Sequence, residues 1–197
     1  VQLLPLMTVR IAEGKNWTVI KGNHDRMFSW FLQDHPKFDI GLPVGVDWLN
    51  PRLGGDKTLA SYGVNIDETS RYYQVHAAAR AAVPAEHLAF LNGLPLHYET
   101  EDYMFVHAGI RPDVALADQT ERDRLWIREP FLSHSAPHAK MIIHGHTALE
   151  APKLYSNRLN LDGGAGYGRP LTPVVIDRKQ IFCLGPHGRK RLRHSAL

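Results

Sequence analysis

The sequence predicts an α/β fold, on three observations. Strand-like and helix-like segments alternate first, and the chain then finishes in strands. Three short apolar runs each end in polar, ligand-type side chains beside a small residue. They are Val19-Ile20-Lys21-Gly22-Asn23-His24-Asp25, Phe105-Val106-His107-Ala108-Gly109 and Ile142-Ile143-His144-Gly145-His146-Thr147. The C-terminal ends of strands are where open α/β sheets place their ligand crevices, so three such ends point to one shared site. The composition fits a globular protein, with 44% hydrophobic and 22% charged residues in 197.

Leu3, Met7 and Ile11 recur at four-residue spacing, which predicts a helix over 2–13 with Gly14 at its C-terminal cap. Trp17 to Lys21 reads as a strand, and Arg26 to Gln33 as a helix with Pro36 beyond its end. The stretch 37–63 carries Pro43, Pro51 and Gly54-Gly55 and reads as an irregular insertion with a short helix around 57–62. Asp67 is the expected cap of a helix running to about Val83, and Pro84 is expected at the first helical position of another ending near Gly93. Residues 37–95 thus form a predicted helical cap. His97–Thr100 and Tyr103–His107 read as strands joined by a tight turn, and 118–127 as a helix. The runs 140–144, 158–161, 171–176 and 180–184 read as strands.

No apolar run is long enough to cross a bilayer and no signal pattern opens the chain; with a single cysteine, a reducing cytoplasm is the expected compartment. A single cysteine, Cys183, lies in an apolar stretch and cannot form an internal disulfide. The net charge of +3 is concentrated in Arg189, Lys190, Arg191 and Arg193. Residues 187–197 are therefore expected to be a solvated basic tail. No recognition-helix or aromatic pattern supports nucleic-acid binding. Most of the twelve histidines read as surface or satisfied core groups. His107 and His146 differ, because small neighbours let a ligand approach the backbone. Neutral imidazole suits zinc, iron or manganese.

Taken together and in order, Gly22-Asn23-His24-Asp25, Val106-His107-Ala108-Gly109 and Gly145-His146-Thr147 resemble the last three motifs of the calcineurin-like metallophosphoesterases. Within that family the chain most resembles the bacterial serine/threonine phosphoprotein phosphatase branch, which includes phage-lambda-type phosphatases and symmetrical diadenosine tetraphosphatases. Leu125-Trp126-Ile127-Arg128-Glu129 resembles the branch's phosphate-binding arginine motif, and Leu161-Asp162-Gly163-Gly164-Ala165 its closing strand. The resemblance implies a four-layer αββα sandwich with a helical cap, spanning 1–186. It implies two divalent metal ions, manganese first, with iron or zinc as alternatives. Asn23, His107 and His146 would bind the second metal, His24 would be the general acid, and Asp25 would buttress the turn or His24. Arg128 would grip the phosphate with a planar, permanently charged fork. His144 stands where the family is apolar and is read as a neighbour of the site. The implied reaction is in-line attack of a metal-bound hydroxide on a phosphate monoester, with His24 protonating the leaving alkoxide.

Two motifs of that family, Asp-x-His and Gly-Asp-x-x-Asp-Arg-Gly, are absent from the sequence. They would supply most of metal site one, the bridging carboxylate and a partner for the catalytic histidine. The chain is expected to be an N-terminally truncated form without its first strands. Weak metal binding, low activity and self-association through an exposed sheet edge should follow. The first expected substrate is phosphoserine or phosphothreonine in a protein. The alternatives are diadenosine tetraphosphate, or no catalysis at all in a degenerate binding module.

Overall fold

The computed structural model describes residues 3–195, with side chains from residue 6 onward. The chain divides into two compact units, Val1–Pro95 and Leu96–Leu197.

The first unit is helical. It contains α1 (Leu3–Ala12), α2 (Asn23–Phe31), α3 (Gly55–Ala60), α4 (Tyr72–Ala82) and α5 (Ala85–Gly93). Position 2 of the predicted first helix lies outside the described residues. Met27, Phe28, Phe31 and Leu32 recur at helical spacing and are buried with Trp48, Leu59, Val75 and Leu91. Phe28 stacks on Trp48 with centroids 4.9 Å apart, and Phe31 meets the same indole at 5.2 Å. Gly55 is required here, because a Cβ would collide with the Trp48 carbonyl. A buried ion pair fixes the loop after α2. Arg26 donates from Nε and Nη2 to Asp39 Oδ2 at 3.0 and 2.8 Å.

Two predicted elements in this unit differ. Trp17–Lys21 lies in no strand among the described residues, and a lone segment without a partner's ladder is not a stable strand. Its Lys21 N–H donates instead to the Pro95 carbonyl at 2.8 Å. Asp67 does not cap the helix. Its Oδ1 accepts from the Thr69 N–H and hydroxyl and the Ser70 hydroxyl, closing a local turn, and α4 starts only after Arg71.

The second unit is layered. Strands β1 (His97–Glu99), β2 (Tyr103–Val106), β3 (Met141–His144), β4 (Lys153–Leu154) and β5 (Arg158–Asn160) form a mixed sheet in the order β1-β2-β3-β5-β4. Its central strands β2, β3 and β5 are parallel, and both edges are antiparallel. Strands β6 (Val174–Asp177), β7 (Gln180–Gly185) and β8 (Gly188–Arg191) form an antiparallel sheet. Strand alternation splits the core in two. Met104, Val106 and Ile142 pack on one face with Ile127 and Phe131, which follow helix α6 (Glu121–Trp126). Ile143, Leu154 and Leu159 pack on the other with Ile181, Val174 and Ile176 of the second sheet. A helical layer and two stacked sheets result.

The predicted helix over 118–127 is shorter than expected. Thr120 Oγ1 accepts the Asp123 N–H at 3.1 Å and starts α6 there, after a single 3₁₀ turn at Leu116–Asp118. Residues 188–191 are also not a loose tail. They form β8, with Lys190 opposite Cys183 and Arg191 opposite Phe182. The basic side chains are exposed, so charge along an edge strand is compatible with hydration.

Candidate functional site

Two groups of predicted site residues occupy the two units. In the first, Gly22 follows the Trp17–Lys21 segment and becomes the N-terminal cap of α2. Asn23, His24 and Asp25 are the first three helical residues, so the helix begins three positions earlier than its periodicity suggested. Asp25 accepts the Gly22 N–H at 2.7 Å, half of a capping box. Its carboxylate is tied to backbone, so its observed task is to fix the turn. Asn23 is buried, while His24 keeps an exposed face. Packing around the His24 ring disfavours its charged form and lowers its pKa, against the opposing pull of Asp25 and the Leu53 backbone. Water still reaches the ring and tempers that shift. Burial raises the Asp25 pKa, opposed by the Gly22 N–H and the His24 and Lys21 charges.

A cavity of about 420 Å³ opens against His24 and Asp25, walled by Phe28, Trp48 and Tyr62. Lys57, Thr58 and Ser61 of the α3 segment complete the lining with Leu91.

In the second unit, the parallel register sets the geometry. Phe105 pairs with Ile143 and His144 with Asn160, so β2, β3 and β5 end at one edge of the sheet. The Gly145 N–H continues the ladder to the His107 carbonyl at 2.8 Å. His107 Nε2 and His146 Nδ1 then lie 3.2 Å apart, with ring centroids at 5.0 Å. His146 has φ +65°, in the left-handed region. The Thr147 N–H reaches back to the Gly145 carbonyl at 2.7 Å, closing a three-residue turn around it. A positive φ at the centre of such a turn is rare and strained, and strain of this kind collects at functional sites.

This edge holds residues that the motif reading gave no role. Trp126 sets its ring edge-on to His146, 5.6 Å between centroids. Asn160 is buried and donates to the Thr147 carbonyl at 2.8 Å, while its Oδ1 accepts the Asp162 N–H at 2.8 Å. Asp162 sits against Gly145, where an added Cβ would come 3.9 Å from Oδ2. Asp162 lies in the run that resembles the family's closing strand, whereas the sequence signal for Asn160 was its place at a strand end. Arg128 follows α6 and is exposed, two residues beyond Trp126. His144 points into the core instead. It is 2% exposed, meets Phe131 edge-on at 4.9 Å, and burial pushes its pKa down to about 4. Among the described residues, no three His, Cys, Asp or Glu side chains are gathered as a metal site. No described helix is long and apolar enough to cross a membrane.

No family model matches the sequence, and no curated protein matches it. Among solved structures, the fold is similar to that of a "putative diadenosine tetraphosphatase". The TM-score is 0.52 at 15% identity, covering 95% of this chain and 73% of that one. At this identity the likeness is one of fold.

Proposed function

We propose that this chain serves metal-dependent hydrolysis of phosphate monoesters, with serine/threonine phosphoproteins as its first substrate class. The observation that carries this is the pair of imidazoles at the shared end of β2 and β3. Two nitrogens bound to one divalent ion at about 2.0–2.1 Å stand roughly 2.8–3.4 Å apart across octahedral to tetrahedral angles. His107 Nε2 and His146 Nδ1 stand 3.2 Å apart. The donor chemistry suits manganese, iron or zinc. The family resemblance adds Asn23 to that set.

Bound metal would stabilise charge on the phosphate and lower the pKa of water to supply the nucleophile. The chain's own residues do the rest. Arg128, held just after α6, grips two non-bridging oxygens and orients the phosphorus for in-line attack. His24, acting as the imidazolium, gives a ring proton to the departing oxygen and is left neutral. Asp25 holds the Gly22 turn, and so the start of α2, in place. The layers of the second unit are consistent with three of the four layers of the αββα sandwich that the resemblance implies.

Diadenosine tetraphosphate is the second reading, favoured by the description of the structural neighbour. Titration calorimetry with Mn²⁺ tests the common core of both readings. His107→Ala and His146→Ala should each abolish binding, and Asn23→Ala should weaken it. Undiminished binding in both histidine variants would overturn the proposal. The ratio of phosphopeptide to dinucleotide turnover then selects the substrate class.

A further inference from the structure

The cavity beside His24 has a chemistry of its own. The residue that protonates a departing oxygen must touch the part of the substrate bearing that oxygen. That part therefore occupies the space against His24, which is the cavity of about 420 Å³. Ligand pockets begin at roughly this size.

One wall is aromatic and rigid. Phe28 and Trp48 stack at 4.9 Å with 18° between their planes, and Tyr62 tilts against Phe28 at 5.9 Å. The Tyr62 hydroxyl is held by a hydrogen bond with His87 Nδ1 at 3.0 Å, so the ring is fixed before any ligand arrives. The rim carries one cation, Lys57. Among the described residues, Lys57 makes no ion pair or side-chain hydrogen bond. Asp25 is the only carboxylate in the lining. It is engaged by the Gly22 N–H, and the lysine whose charge acts on it is Lys21. Thr58 and Ser61 donate their hydroxyl protons to the Gly54 and Thr58 carbonyls. The charge of Lys57 thus has no counterpart within the cavity.

We propose that this cavity selects leaving groups that combine a planar aromatic ring with an anionic substituent, the ring against Trp48 and Tyr62 and the anion on Lys57. The assignment of this cavity to the leaving group rests on the proposed role of His24. Two sources share that chemistry, an aryl acid and a nucleotide. The cavity therefore favours the second substrate reading over the first, since phosphoserine has no ring to set against the aromatic wall.

The free leaving alcohols test the proposal without metal or turnover. 4-Hydroxybenzoate, 4-hydroxybenzylamine, AMP and adenosine are titrated into the metal-free chain. Binding is read from the Trp48 indole N–H resonance, assigned with Trp48→Phe. The anionic member of a pair should bind roughly fivefold tighter, the upper end of a solvent-screened charge pair. Lys57→Gln should erase that preference and Lys57→Glu should reverse it. Lys57 is exposed, so neither change threatens the fold. Tight AMP identifies a nucleotide source, and tight 4-hydroxybenzoate an aryl acid. Equal affinities, a preference that survives Lys57→Glu, or no binding would overturn the proposal. A charge preference intact in a chain that binds no Mn²⁺ would instead remove the hydrolase reading and leave the cavity's selectivity standing.

Discussion

Removing the Asp39 carboxylate tests whether the first unit depends on its buried ion pair. The Asp39 side chain is 0% exposed and that of Arg26 8%. Oδ2 takes two guanidinium N–H groups at 3.0 and 2.8 Å, and Oδ1 takes the Gly41 N–H at 2.9 Å. Asp39→Ala strands a desolvated cation and a backbone donor together. Removing one partner of a buried pair costs about 3–5 kcal/mol. That is a large part of the roughly 5–15 kcal/mol that holds a domain together. Stacking of Arg26 over Trp30, 4.7 Å to the centroid, returns only a fraction. The pair itself contributes less than its breakage costs, since desolvation offsets most of its attraction. The double variant Arg26→Met/Asp39→Leu should therefore recover most of the loss. Urea unfolding of the four proteins of the cycle measures this, with unchanged slopes showing that the same surface unfolds. Hydrogen exchange across α2 should rise in Asp39→Ala, because the loop no longer clamps the helix that carries Asn23 and His24. A cost below about 1 kcal/mol would refute the reasoning, as would a double variant no more stable than the single one.

Three further expectations concern the second unit. Burial lowers His138 to about 4, aided by the nearby His134 and Arg158 charges and opposed by Asp113. The folded state then binds fewer protons than the unfolded chain, so stability should fall as pH drops below about 6.5 and continue falling towards 4. The drop in urea midpoint between pH 7 and pH 5 should shrink in His138→Gln, the buried His144 supplying part of the remainder, and an equal drop in that variant would exclude His138 as a cause. Trp126 lies 5.6 Å from His146, so Mn²⁺ should quench its fluorescence. Trp126→Phe should remove the quenching, and quenching retained there would locate the metal elsewhere. Gly109 has φ +153°, and a Cβ there would collide with the Phe131 ring. Gly109→Ala should cost about 1–3 kcal/mol in thermal or urea unfolding, and a neutral result would show that Phe131 can move aside.

Much of the local structure was legible in the sequence. The run Tyr103–Val106 and the run Met141–His144 are apolar, bounded by turns, and form the strands expected of them. Pro84 marks the start of α5 one position early: it is the residue before the first helical one, Ala85. The histidines after β2 and β3 were singled out because strand ends are exposed and small residues flank them. Trp17–Lys21 failed for the complementary reason. Its apolar character is local, but strand pairing depends on a neighbour that periodicity does not reveal. Asp67 failed because a carboxylate can satisfy a turn as well as a helix.

The sequence by itself determined the alternation of elements, the apolar runs of β2 and β3, and the histidines that end them. These depend on interactions between residues a few positions apart. Tertiary structure decided the rest. Only parallel pairing of β2 with β3 brings His107 within 3.2 Å of a residue 39 positions later. Only pairing with β7 turns a basic tail into a strand. Only packing of the first unit sets Lys57 at the rim of an aromatic cavity beside His24. Each depends on partners distant along the chain, and a pattern read over a few residues carries no record of them.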